Sequence, residues 1–273
     1  MRWTFTSDVE AYAGAVEPWL LRDPVRNTVP LTVLRAIRIG LWGDDVLLGR
    51  LEHEGRTVAA ALQTPSHALL LPHVSIEAVR ELATELIEAE RAIPGVSGPL
   101  AQAEAFAGAW WRPEVGRRSE RLYRLGTLVP PDPFPEGACR TAGVGDVELL
   151  VAWSRAFQAE VAGTVSVELT PLVNSRIGRA ELVLWEAGGR PVAFAGASSP
   201  LGGMSRVGPV YTPPELRGKG YGTAVTHAVT ARARAGGADE VLLFTDLSNL
   251  TSNSVYQVIG YRPVTDYASI TFG

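Results

Sequence analysis

The sequence has few sulfur-containing residues and no long apolar run. It contains one cysteine, Cys139, and two methionines among 273 residues, so we expect neither an intramolecular disulfide nor a metal site. No run of roughly eighteen apolar residues is present, which argues against a membrane-spanning helix. The first residues also lack the basic and then apolar pattern of a signal peptide. We therefore expect a cytoplasmic protein with no membrane partner.

The chain also lacks an excess of basic residues. Lysine and arginine number 25 against 29 aspartate and glutamate residues, which gives a formal net charge of −4. Because nucleic-acid binders usually carry basic residues that neutralise phosphates, we expect no nucleic-acid partner. Hydrophobic residues make up 46% of the chain and charged residues 20%. This ordinary globular composition excludes disorder, collagen and coiled coil as descriptions of the whole chain.

Prolines are concentrated in one segment, residues 128–137, which reads LVPPDPFPEG. Proline removes a backbone donor and favours extended geometry in the preceding residue. The length of the chain is close to that at which one core usually divides into two. We therefore predict a proline-rich linker over 128–137 between a first domain, 1–127, and a second domain, 138–273.

Hydrophobic periodicity and turn residues indicate an α/β protein. EGRTVAAA at 54–61 and GGRPVAFA at 188–195 both resemble a hairpin turn that enters a strand. Each is followed by a further strand and a helix, which favours two tandem related units. Helices are predicted over 8–21, 79–92, 145–161 and from the glycine-rich loop to 235. Strands are predicted over 46–63 as a pair, 180–187, 191–197, 205–212, 240–245 and from 261.

The most informative stretch is VGPVYTPPELRGKGYGT at 207–223. A strand ends at two prolines, a loop carries three glycines, and an amphipathic helix follows. Glycines at such a turn allow several backbone N–H groups to point at one place, and the helix N-terminus adds partial positive charge. Arg217 and Lys219 add full charges. The stretch therefore predicts a site for a phosphate or diphosphate, although a tight turn alone would also explain the glycines.

Two other phosphate loops fit this stretch poorly. Pro213 stands where a Walker loop requires its first glycine, and Gly220 follows Lys219 where that loop requires serine or threonine. The dinucleotide fingerprint lacks its third glycine, because Thr223 stands there. Asp246 ends the next predicted strand and keeps an NAD(P)-dependent oxidoreductase open as an alternative.

A second pattern occupies residues 249–261, NLTSNSVYQVIGY. A helix that begins near Asn249 or Thr251 is expected to bury Val255, Val258 and Ile259 and to end at Gly260. Tyr256 lies at the edge of this apolar stripe, where its hydroxyl could reach a cleft. Packing of the ring with the hydroxyl in water is the structural alternative.

Together the two patterns resemble the GCN5-related N-acetyltransferase (GNAT) superfamily. Residues 217–222, RGKGYG, match its Arg/Gln-x-x-Gly-x-Gly/Ala signature. Asn249, Tyr256 and the pair Gly260–Tyr261 are similar to its second hallmark, Asn-x(6)-Tyr followed by Gly-Phe/Tyr. The resemblance covers the C-terminal half, whereas residues 1–127 contain neither motif. That half is either a degenerate copy or an accessory domain.

The resemblance implies a mixed central sheet flanked by helices. It also implies that acetyl-CoA is the donor and that an amine attacks it directly within a ternary complex. It implies that the backbone of Val210, Tyr211 and Thr212 pairs with pantetheine, that Asn249 contacts this arm, and that Tyr256 protonates the leaving thiolate. The residues that it assigns to the diphosphate are Arg217, Gly218, Lys219, Gly220, Tyr221, Gly222 and Thr223.

Several points stay open at the level of sequence. Glu160, Glu168 or a water chain are alternatives for the general base, and the acceptor is either a small-molecule amine or a peptide amine. A non-catalytic acyl-CoA-binding protein is the main alternative to an enzyme. The function of the N-terminal half is also open, as is a homodimer.

Overall fold

The computed structural model describes residues 2–43, 45–162 and 168–273. Its strands are β1 (Arg2–Thr6), β2 (Leu47–His53), β3 (Arg56–Gln63), β4 (Leu69–Leu70), β5 (Gly95–Pro99), β6 (Glu114–Leu125), β7 (Ala138–Thr141), β8 (Leu182–Ala187), β9 (Arg190–Ala197), β10 (Met204–Tyr211), β11 (Glu240–Asp246) and β12 (Tyr261–Phe272). Its helices are α1 (Val9–Leu20), α2 (Thr28–Arg38), α3 (Ile76–Glu88), α4 (Leu100–Ala109), α5 (Val147–Ala162), α6 (Thr170–Gly178), α7 (Tyr221–Ala235) and α8 (Leu250–Val258).

The chain divides into two compact units. The first contains Met1–Leu122, Thr245–Ser248 and Val264–Gly273, and the second contains Tyr123–Phe244 and Asn249–Pro263. Residues 128–137 have no helix or strand. The predicted domain boundaries at 127 and 138 stay predictions.

The first unit is built on a mixed sheet. Strands β1, β2, β3 and β4 pair antiparallel in that order, and β4 pairs parallel with β5. The other edge of β5 pairs antiparallel with residues 267–271 of β12. Apolar residues of α3 and α4, including Leu82 and Phe106, pack in one core with Ile270 of β12. Tyr12 of α1 is buried, and its hydroxyl donates a hydrogen bond to the carbonyl of Ala61.

The second unit repeats this pattern of elements. Strands β7, β8, β9 and β10 pair antiparallel, and β10 pairs parallel with β11 after the crossover through α7. Successive side chains of β8 point to opposite faces of the sheet, as a strand requires. Val183 and Trp185 pack in the core that contains α7, whereas Leu182 and Leu184 pack with α5 and α6. Helices therefore flank both faces of this sheet, and the predicted fold class is confirmed.

Two details of the predicted helices are wrong. The helix expected over 79–92 is α3, which begins three residues earlier because the Ser75 side chain accepts a hydrogen bond from the amide of Ala78. In α8, Val258 is exposed rather than buried, and Tyr256 is buried instead. Tyr256 and Ile259 are three residues apart and share a helix face, whereas Val258 is two residues beyond Tyr256 and points away.

Candidate active site

A break in β10 opens the sheet of the second unit beside the predicted donor site. Strand β10 pairs with β11 from Met204 to Val207, and the paired segment ends there. Its register with β9 shifts between Val207 and Val210. Gly208 lies within this shift and has a φ of 152°, a region that favours glycine. Residues 210–212 therefore continue past the end of the parallel pairing, where backbone groups can pair with an extended ligand.

The glycine-rich loop follows directly and ends in the N-terminus of α7. Gly218 and Gly220 have φ values of 77° and 80°, and Gly220 is the N-cap of the helix. No side chain caps α7, and its first internal hydrogen bond runs from the amide of Ala224 to the carbonyl of Gly220. The amides of residues 221–223 thus have no acceptor within the helix. Such a glycine-led helix start fits a diphosphate.

Gly222 lies close to the end of β10. A Cβ at this position would lie 3.3 Å from Oγ1 of Thr212. A larger side chain would therefore have to displace either the threonine or the loop. The glycine keeps the start of α7 near residues 210–212, so that the two predicted parts of the donor site adjoin.

Arg217 is held in place by contacts with three residues. Its Nη2 donates to both carboxylate oxygens of Glu160, at 2.8 and 2.7 Å. Its Nε donates to the carbonyl of Thr212 at 2.9 Å, and the guanidinium lies 5.8 Å from the ring centroid of Tyr211. Arg217 therefore ties the glycine loop to β10 and to α5, and Glu160 balances much of its charge. Lys219 is exposed on the same loop.

The predicted candidates for the general base lie on either side of residues 163–167, which are outside the described residues. Glu160 is engaged by Arg217 in an ion pair that is nearly half exposed on both sides. Glu168 is exposed and lies just before α6. The geometry selects neither carboxylate as the base.

Tyr256 lies on the inner face of α8. Its side chain is 9% exposed, and its ring meets that of Tyr261 edge to face, with centroids 6.3 Å apart. Asn249 directly precedes α8, and its carbonyl accepts hydrogen bonds from the backbone and side-chain nitrogens of Asn253 at 3.1 and 2.8 Å. Seven residues of helix separate the two predicted residues by about 10 Å.

Sequence reasoning missed a polar group that packs against α8. The hydroxyl of Tyr123 donates to Oδ1 of Asn253 at 3.0 Å and accepts from Nε2 of Gln257 at 3.3 Å. Tyr123 is 1% exposed, so this buried hydroxyl fixes one side of the helix. Tyr123 belongs to β6, a strand that could not be identified from its charge-rich sequence.

A cavity of about 510 Å³ lies in the first unit. It is bordered by the start of β2, the end of β3 and the segment after α3. Among the residues that the structure describes, it contains two arginines, Arg91 and Arg112. None of the predicted site residues lines it.

Two features are absent from the described parts of the chain. These parts contain no cluster of three histidine, cysteine, aspartate or glutamate side chains placed to hold a metal ion. Within the same residues, no helix combines the length and the apolar character needed to cross a bilayer.

Residues 150–261 match the sequence profile of the acetyltransferase (GNAT) family. Among curated proteins, none matches the chain. The similarity of sequence thus covers α5 to the beginning of β12, which includes the glycine-rich loop, Asn249 and Tyr256.

Solved structures resemble the whole chain. An acetyltransferase of the GNAT family from Colwellia psychrerythraea is 14% identical, with a TM-score of 0.67 and 100% of both chains covered. A GCN5-related N-acetyltransferase from Sphaerobacter thermophilus is 18% identical, with a TM-score of 0.66 and 98% of this chain and 95% of the other covered. A Drosophila protein is 12% identical, with a TM-score of 0.71 and coverage of 99% and 98%. At these identities the likeness is one of fold, and it includes the N-terminal half.

Proposed function

We propose that this chain, whose residues 150–261 match the GNAT acetyltransferase family, transfers an acetyl group from acetyl-CoA to an amine. The transfer proceeds by direct attack within a ternary complex. The observation that carries the proposal is the uncapped, glycine-led start of α7 beside the break in β10. The start of α7 suits a diphosphate, and the break in β10 suits an extended arm that contains amide groups. Coenzyme A contains both a diphosphate and such an arm.

The donor is held mainly by backbone groups. The amides of Gly218–Thr223 bind the diphosphate, with Lys219 adding charge at the exposed side of the loop. The backbone of Val210, Tyr211 and Thr212 pairs with the pantetheine arm as an added strand. Arg217 supports the loop through its contacts with Thr212 and Glu160. The part of its positive charge that Glu160 does not balance attracts the diphosphate.

The acetyl donor supplies a thioester that is already activated toward attack by an amine. The chain holds the amine against this carbonyl, and such orientation accounts for a large part of the rate in reactions of this type. The hydroxyl of Tyr256 donates a proton to the sulfur that leaves as the nitrogen takes the acetyl group. Asn249, about two turns earlier on the same helix edge, contacts the pantetheine arm.

The proton of the amine leaves through Glu160, Glu168 or water, and these alternatives stay open. The acceptor is a small-molecule or peptide amine. A cytoplasmic location and a homodimer stay predictions from the sequence.

Replacing Tyr256 by phenylalanine tests the proposal. We expect kcat to fall by about 10²- to 10⁴-fold, because a positioned proton donor typically contributes that much, while KM for acetyl-CoA changes less than threefold. The measurement is release of the CoA thiol over a panel of amines. Tyr261→Phe is the matched control, since its hydroxyl pairs with Oγ1 of Thr230 at 2.7 Å in the core.

The outcomes separate the alternatives. Full activity of Tyr256→Phe would remove the proposed acid. If the unaltered protein binds acetyl-CoA and releases no thiol with any amine, the non-catalytic binder is correct. A rise in melting temperature with NAD(P) and none with acetyl-CoA would favour the oxidoreductase, because a ligand of the native state stabilises it.

A further inference from the structure

A largely buried arginine reaches the break in β10 from α6. Arg176 belongs to α6, and its side chain is 15% exposed. Its Nη1 donates to the carbonyl of Gly208 at 2.9 Å, and its Nε donates to Oε2 of Glu181 at 3.3 Å. The guanidinium of Arg176 therefore joins the break in β10 to the carboxylate of Glu181, the residue that precedes β8.

The carboxylate of Glu181 is itself fixed by several donors. Arg179 donates from Nε at 2.8 Å and from Nη2 at 3.1 Å. The backbone amide and hydroxyl of Ser199 donate at 2.9 and 2.8 Å. Burial alone would raise the pKa of Glu181, but these hydrogen bonds and the charge of Arg176 outweigh it and hold the pKa at about 2. Glu181 is thus an ionised, immobile anchor for Arg176.

The position of Gly208 gives this anchor a consequence for the donor site. Gly208 lies inside the register shift between Val207 and Val210, where strand pairing does not fix the backbone regularly. The bond from Arg176 supplies a fixed direction for its carbonyl. Residues 210–212 follow within four positions, so the orientation of their backbone groups depends on how this carbonyl is held.

We propose that Arg176 is a positioning residue for the donor site: by holding the Gly208 carbonyl, it fixes the break in β10 that presents residues 210–212 to pantetheine. This inference rests on the proposed function. It assigns to α6 a part in donor binding that neither sequence motif indicates.

Arg176→Met and Arg179→Met form a matched pair of variants. Each removes one positive charge and one partner of Glu181, but only Arg176 contacts Gly208. We expect Arg176→Met to raise KM for acetyl-CoA and Kd of CoA about tenfold, with kcat changed less than threefold, because one charge-assisted hydrogen bond is lost. Arg179→Met should bind CoA within twofold of the unaltered protein. Urea denaturation of both variants measures the structural part of the effect.

Arg176→Lys is a second variant. It tests the inference in case Arg176→Met does not fold. Lysine keeps the charge beside Glu181, but its single nitrogen cannot bridge both partners of Arg176, so Kd should again rise about tenfold. Binding of CoA equal to that of the unaltered protein, by either folded Arg176 variant, would overturn this inference alone. An equal loss of CoA binding in the Arg176 and Arg179 variants would also overturn it. Absence of CoA binding by the unaltered protein would overturn the proposed function and this inference together.

Discussion

The carboxylate of Glu181 makes the stability of the second unit depend on pH in a way that can be calculated. Its folded pKa of about 2 lies below the ordinary value of 4.5, so ionisation stabilises the fold. The stabilisation is fully present above about pH 5 and is lost as pH falls from 4.5 toward 2. The difference between 4.5 and 2 corresponds to about 3 kcal/mol, at about 1.4 kcal/mol per pH unit. Glu181 is 8% exposed, so solvent screens this interaction little.

Glu181→Gln removes the charge and keeps the shape of the side chain. We expect this variant to be less stable than the unaltered protein by about 3 kcal/mol at pH 6.5. At pH 3 the difference should shrink to about 1.5 kcal/mol, because the unaltered protein loses its own carboxylate charge there. Urea denaturation followed by circular dichroism at both pH values gives the two differences.

Glu240→Gln is the control, because this carboxylate pairs at 2.9 Å with Arg124, which is 53% exposed. Pairs of this kind contribute about 1 kcal/mol or less, so the control should differ little from the unaltered protein at either pH. If the Glu181→Gln difference is equal at pH 6.5 and pH 3, the carboxylate is not held ionised by its partners. The reasoning from the buried cluster would then be wrong.

Two further predictions concern packing. Gly260→Ala should lower the free energy of unfolding by at least about 2 kcal/mol, because φ is 104° and a Cβ would overlap the carbonyl oxygen of Thr127. Gly188 has a φ of 56° and open space around it, so Gly188→Ala should lower the free energy of unfolding by only about 1 kcal/mol. Leu82→Ala should cost about 2–5 kcal/mol, because Leu82 is fully buried in α3, whereas the exposed neighbour Glu81→Ala should stay within about 0.5 kcal/mol. Urea denaturation checks all four, and equal effects within either pair would contradict the packing described.

The elements that the sequence predicted well are those with strong local signals. The hairpin of β8 and β9 has Gly188 and Gly189 at its turn, both with positive φ. A helix was predicted from residue 8, and the Asp8 side chain caps α1 by accepting a hydrogen bond from the amide of Ala11. Such turns and caps depend on a few adjacent residues, which is why one sequence suffices to find them.

Other elements depend on partners distant in sequence. Strand β6, EVGRRSERLYRL, is rich in charge and lacks a clear apolar alternation. Charged side chains of β6 pair with residues distant in sequence. Arg121, for example, pairs with Asp266 at 2.6 Å. Strand β5, GVSGP, contains two glycines and a proline, which local propensity disfavours in strands. Pairing with β4 and β12 overrides that preference.

The candidate site shows the same division. The loop at 217–222 could be identified from its own glycines and charges. The contact of Arg176 with Gly208 spans 32 positions in sequence, and nothing in the local pattern of either residue indicates it. The burial of Tyr256 in place of Val258 depends on which face of α8 meets the core. A nine-residue helix with apolar residues on several sides does not decide that from sequence.

The first unit takes its last strand from the far end of the chain. Residues 267–271 complete the sheet beside β5, and Ile270 and Phe272 fill the core beneath α3 and α4. During synthesis, the ribosome must therefore reach residue 271 before the sheet that contains β1 to β5 can be completed. Until then one edge of β5 is unpaired. A fragment that stops at residue 127 would keep this edge exposed, where it can pair with other chains. We expect such a fragment to aggregate where the complete chain does not.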